Sequence, residues 1–192
     1  YRKLITMSIK QYQQLDPISH ILQRPDMYCG STRFRQELHY ISSVDFEITQ
    51  KVIDTCPAII RIFLEVLSNA TDNVERSKKA GINCTKIKVN IDKETGKTSI
   101  WNDGDIVPVD KNNDQNCYNH SLIFGKLLTG SNYDDDEERK LAGRNGLGSK
   151  LCNVFSKKFT VEGCDPNNNK ILTQTWTNNM RKTEGPVIKS TK

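Results

Sequence analysis

Glu65-Val66-Leu67-Ser68-Asn69-Ala70-Thr71-Asp72-Asn73 lies inside the longest helical pattern of the chain, and its reading decides the fold. From Pro57 onward, apolar residues fall at positions 59, 60, 63, 66, 67, 70 and 74, a helical repeat that draws one continuous stripe. Pro57 suits a first turn, and Gly81 predicts the stop. A second ridge carries Glu65, Asn69, Asp72 and Arg76, spaced 4, 3 and 4, so the four side chains line up along one side. A carboxylate and a carboxamide at i and i+4 present two oxygens to one point in space. The carboxamide suits a hard cation such as Mg2+, and the carboxylate can take a proton from water. Spacing alone fits a solvated helix face just as well.

Outward from this helix the chain alternates hairpins with short helices. Residues 85–92 alternate with period two and are followed by a Gly-containing turn and Thr98-Ser99-Ile100-Trp101, which predicts a hairpin. Asn102-Asp103-Gly104-Asp105 then forms a turn that sets amide and carboxylate groups at a sheet edge, within reach of a nucleobase. Residues 103–118 read as loop, 121–128 as a short helix, 129–145 as a polar lid and 146–155 as another helix. Strands are expected over 158–164 and 170–178 around Pro166-Asn167-Asn168-Asn169, and Val187-Ile188 begins what looks like one more. Upstream, 17–24 suits a short helix that Pro25 must end, and 28–56 looks like strand and loop. Residues 1–16 read as an N-terminal arm and 17–192 as one domain. Interleaved helices and hairpins predict an α+β fold, a two-layer α/β sandwich with a mixed sheet, rather than a doubly wound parallel sheet.

The glycine-rich run Gly143-Arg144-Asn145-Gly146-Leu147-Gly148-Ser149-Lys150 precedes a predicted helix. Its backbone N–H groups can converge on an anion at a helix start, with Arg144 and Lys150 adding positive charge. Gly143 and Gly148 have the Walker A spacing, but Ser149-Lys150 stands in reversed order, which rejects a standard P-loop and leaves phosphate binding open. The acidic run Asp134 to Glu138 reads as a solvated loop apex.

Composition narrows the rest. The 192 residues are 35% hydrophobic and 27% charged with a net charge of +5, compatible with nucleic-acid contact but no proof of it. Six isolated cysteines without a CxxC pair argue against zinc and predict reduced thiols in a cytosolic or nuclear compartment. No apolar run approaches the roughly 18 residues of a membrane span. The chain starts at Tyr1 and reads as a piece of something longer.

Taken together, these stretches resemble the ATPase domain of type IIA topoisomerases of the eukaryotic kind, in the wider family of gyrase B, heat-shock chaperone ATPases, histidine kinases and MutL. The resemblance rests on His20-Ile21-Leu22-Gln23-Arg24-Pro25-Asp26-Met27-Tyr28-Cys29-Gly30-Ser31, on Glu65 to Asn73, and on Leu122 to Asp136 with its Thr129-Gly130-Ser131-Asn132-Tyr133 core. The loop from Gly143 to Ser156 and Gln174-Thr175-Trp176-Thr177-Asn178-Asn179-Met180 complete it. The order is kept from about residue 10 to 182.

The resemblance implies ATP and Mg2+ as cofactors. Glu65 would be the general base for the attacking water and Asn69 the Mg2+ ligand. Asn73 and Arg76 match positions that contact phosphate or ribose, and Asn102 one that contacts adenine. Gly130, Ser131 and Asn132 match a ribose and phosphate segment. Gly143, Arg144, Asn145, Gly146, Leu147, Gly148, Ser149 and Lys150 match the loop over the triphosphate. Tyr12 matches a residue that reaches into the nucleotide site of a partner subunit. The implied activity is an ATP-operated homodimeric clamp, closed through the arm and ATPase domain, that passes double-stranded DNA in a nucleus or at the replication site of a large DNA virus. The resemblance also implies a transducer lysine and a DNA-cleaving tyrosine lying beyond Lys192, so that this stretch alone would turn ATP over slowly. Three departures stand out: Ile106 where a second glycine is expected, Gly130 in place of a serine, and Leu147 in place of an aromatic residue.

Overall fold

A computed structural model describes residues 14–127 and 147–191. Its first helix, α1 (Pro17–Gln23), starts where Asp16 accepts the Ser19 N–H (3.0 Å) and hydroxyl (2.5 Å), with Pro17 in the first turn. A 3-10 turn, Pro25–Met27, follows, and Tyr28 hydrogen-bonds His20 Nδ1 at 2.8 Å. Strands β1 (Arg35–Ser42) and β2 (Ile48–Thr55) then pair antiparallel as a hairpin to which no other described strand is hydrogen-bonded.

Helix α2 (Pro57–Lys79) confirms the predicted long helix and its boundaries. Its C-terminus is closed by Gly81, whose φ of +73° lets the Gly81 N–H reach the Lys78 carbonyl and the Ile82 N–H reach that of Ser77. The buried positions of α2 are Ala58, Ala70, Asn73 and Ser77. Part of the expected apolar stripe is therefore not covered: Ile59 is 54% exposed and Ile60 45%. The same is true of the β1–β2 hairpin, where Leu38, Tyr40, Ile48 and Val52 are exposed along one face.

Strands β3 (Ile87–Asp92) and β4 (Lys97–Asn102) form the predicted hairpin against α2. The stretch read as loop contains a two-residue ladder, β5 (Lys111–Asn112) with β6 (Cys117–Tyr118), too short for periodicity to reveal. Next come α3 (Asn119–Gly125), two residues earlier than predicted, and α4 (Gly148–Val154). The chain closes with β7 (Lys158–Asp165), β8 (Lys170–Thr177) and β9 (Lys182–Ser190), an antiparallel three-stranded sheet.

The main core lies between this sheet and the helices. In β8 the buried residues alternate, Leu172, Gln174 and Trp176, so one face points inward. Trp176 meets Ile21, Leu151, Val154 and Met180 there, with Phe124 and Phe159 packed on the cluster. Helix α4 touches α1, α2, α3 and β7 and is the hub of the helical layer. The predicted α+β class holds. Every ladder among the described residues is antiparallel, so the parallel pairing that a mixed sheet implies is not among them. No described helix is long and apolar enough to cross a membrane.

Candidate functional site

The site is strung along α2, where the turn after β4 and the start of α4 each meet it. Asn73 joins α2 to the turn. Its Nδ2 donates to Asn102 Oδ1 at 2.8 Å and to the Asp105 carbonyl at 2.9 Å. One turn later the Ser77 hydroxyl donates to the Asn73 carbonyl at 2.6 Å and accepts the Asp105 N–H at 2.7 Å. Asn102 Oδ1 also accepts the Gly104 N–H at 3.2 Å, which closes the turn on itself.

This stitching needs a glycine at 104. A Cβ there would stand 2.5 Å from Ser77 Oγ and 2.8 Å from Asn73 Nδ2. Asp103 holds the other side of the turn, accepting the Thr85 hydroxyl (2.5 Å) and the N–H groups of Thr85 and Lys86 (both 2.8 Å). The hydroxyl of Thr85 and the Lys86 N–H favour the charged form and hold the Asp103 carboxyl well below the usual carboxylate range. Ser77 carries the geometry without having been a candidate, and Asp103, expected at a sheet edge within reach of a nucleobase, spends its carboxylate on holding the turn. The available signal was Ser77 at i+4 from Asn73, on the face that turns inward.

The start of α4 brings the glycine loop to α2. A Cβ built on Gly148 would collide with the Glu65 carboxylate, lying 3.0 Å from Cδ and 3.1 Å from Cβ. The backbone at the start of α4 therefore rests directly on Glu65. On its other side Glu65 Oε1 pairs with the Arg61 guanidinium at 2.6 Å. Two residues further on, Lys150 is 1% exposed, and burial pushes its ammonium down to about 8 from an ordinary 10.5.

Of the predicted residues, the structure brings together two pairs along α2, Asn73 with Asn102 and Glu65 with Gly148. Asn69 and Arg76 stand exposed on α2, as a ligand-facing ridge would require. Asn73 is turned inward instead, 7% exposed, and its amide supports Asn102. Its buried Oδ1 has no hydrogen-bond partner among the described residues. Leu147, Ser149 and Lys150 lie at the head of α4, with Ser149 and Lys150 buried. Tyr12, Gly130, Ser131, Asn132, Gly143, Arg144, Asn145 and Gly146 lie outside the described residues.

For a metal, the described residues hold no cluster of three or more His, Cys, Asp or Glu side chains. A carboxamide beside a carboxylate fits Mg2+, which keeps waters and shares phosphate oxygens, rather than an all-protein cage.

The chain is 44% identical over 189 residues to DNA topoisomerase 2 of Invertebrate iridescent virus 6, covering 93% of this chain and 17% of that protein. It is 45% identical over 184 residues to chicken DNA topoisomerase 2-beta, covering 95% of this chain and 11% of that protein. The ATPase region of Saccharomyces cerevisiae topoisomerase II superposes with a TM-score of 0.89 at 40% identity, over 94% of this chain and 47% of that one. The chain belongs to the type II DNA topoisomerase family, in its ATPase region. No family model matches it. This topoisomerase-type ATPase region spans under a fifth of the length of the curated relatives given above and about half of the yeast ATPase region. All six of its cysteines are free thiols, as expected of the sequence, and burial pushes the Cys29 and Cys152 thiols up and away from reactivity.

Proposed function

We propose that this chain binds and hydrolyses ATP with Mg2+ as the nucleotide-operated part of a type II topoisomerase. The reading is supported above all by the meeting of Glu65 with Gly148: a carboxylate of the α2 ridge lies against the point where the glycine-rich run enters α4. Asn102, held by Asn73, is the group for the adenine edge, and Asn69 the protein oxygen for the metal. Bound Mg2+ would neutralise phosphate charge. Glu65 accepts a proton from water as it attacks, and Lys150 with the N–H groups at 147–149 offsets the charge that develops on the phosphates. Catalysis of this kind is positioning and charge neutralisation rather than covalent chemistry.

At the level of the whole protein, the proposal is an ATP-gated homodimeric clamp acting on double-stranded DNA, with Tyr12 of the N-terminal arm reaching the nucleotide site of a partner subunit. Its place of action would be a nucleus or the replication site of a large DNA virus. The likeness to the viral enzyme and the eukaryotic one is nearly equal, which keeps both open.

Nucleotide titration beside a turnover assay tests the assignment. Glu65→Ala is expected to leave ATP binding intact while lowering turnover by about a hundredfold or more. Asn69→Ala is expected to weaken Mg-ATP binding itself. Equal loss of binding in both variants would contradict the separate roles.

A further inference from the structure

The Arg61–Glu65 pair is unexplained by fold stability. Its nitrogen-to-oxygen distance is 2.6 Å, while the Arg61 side chain is 60% exposed and that of Glu65 23%. Ion pairs so open to solvent add little to stability. The order along α2 is also the unfavourable one. A base four residues before an acid opposes the helix dipole, and the reverse order is the one that stabilises helices.

The pair gains sense from the other side of the carboxylate. Gly148 packs so close to Oε2 that a Cβ there would overlap it. One oxygen is thus taken by a guanidinium and the other is walled by backbone. A carboxylate turns readily about its last torsion, since an sp3–sp2 rotor has a broad preference. Held from both sides, it has one orientation left.

We infer that Arg61 is a positioning residue for Glu65, fixing the carboxylate plane in which water is activated while touching neither nucleotide nor metal. This rests on Glu65 being the general base. A general base must meet its proton within hydrogen-bond distance and at the right angle, and a loosely held one loses rate without losing substrate. Arg61 keeps Glu65 aimed; Gly148 keeps the space beside it free of a side chain.

The test compares wild type with Arg61→Met and Arg61→Lys in the full-length natural protein, measuring kcat, KM for ATP and the thermal midpoint. Arg61→Met is expected to lower kcat about tenfold or more, through lost alignment alone. Its KM should stay within about twofold, because binding in the ground state is untouched. The thermal midpoint should move by no more than about 2 °C. Arg61→Lys, which keeps a cation four residues before Glu65, should recover most of the rate. Unchanged kcat in Arg61→Met overturns the inference. So does a loss of kcat that tracks a rise in KM or a fall in the thermal midpoint, or one that lysine does not restore. A wild-type protein that binds ATP without hydrolysing it overturns the general-base reading beneath it, and that result is distinct from the others.

Discussion

Gly104 decides how closely the β4 turn can approach α2, and the contacts around it give the penalty for a side chain. A methyl group there meets the Ser77 hydroxyl and the Asn73 amide, both of which are already committed to hydrogen bonds. Neither can retreat without releasing Asp105 or Asn102. Gly104→Ala is therefore expected to lower stability by about 1–3 kcal/mol, the usual cost of overpacking. A drop in the denaturant midpoint at unchanged slope checks this. Nucleotide affinity should fall with it, because Asn102 loses its anchor. Ile106, where the family has a second glycine, is half-buried and donates its own N–H to Asp105 at 2.9 Å, so the turn closes with a side chain present.

Among the elements, β1–β2 is the least supported. Two strands without a third are marginal in water, and this pair shows an apolar face with Leu38, Tyr40, Ile48 and Val52 in the open. Hydrogen exchange is expected to find the amides of 35–42 and 48–55 opening well before those of β8, whose inner face is sealed by Trp176. Equal protection of the two would refute it. Elements with strong periodicity were readable from sequence: α2 ends where Gly81 says, and β3–β4 and β7–β8 follow their alternation. What escaped had a physical disguise. Strand β9 runs from Lys182, but Gly185-Pro186 interrupts it beside a bulge, and only Val187-Ile188 looked like strand. The inward turn of Asn73 and Ser77 escaped because two small polar residues on a helix read as surface until a neighbouring turn is known to cover them.

For the molecule as a whole, burial of basic groups and of thiols shapes the response to pH. Lys150 in the unfolded chain keeps its proton up to its ordinary 10.5, whereas in the folded chain it releases it from about 8. At Lys150 the unfolded state thus binds more protons between about 8 and 10.5, so this residue's contribution to stability rises with pH across that window, while the raised Cys29 and Cys152 thiols pull the other way from about 9 upward. His120, buried and held down by desolvation, acts in the same sense as Lys150 at lower pH: stability falls as pH drops through its ordinary 6.5. Denaturant melts at pH 8 and 10 compare the two ends of the lysine window. Lys150→Met should make the change in stability from pH 8 to pH 10 less favourable than in wild type, and the same change in both proteins would count against a buried ammonium. The reach of the Glu65–Gly148 contact has a further consequence. More than a third of the chain separates the two residues, while β7, β8 and β9 follow one another directly. Contacts of long separation form late, after loop closure is complete. On a ribosome, α2 must therefore wait with Glu65 unmatched until α4 has left the exit tunnel, so this contact can form only after the long intervening stretch has been made.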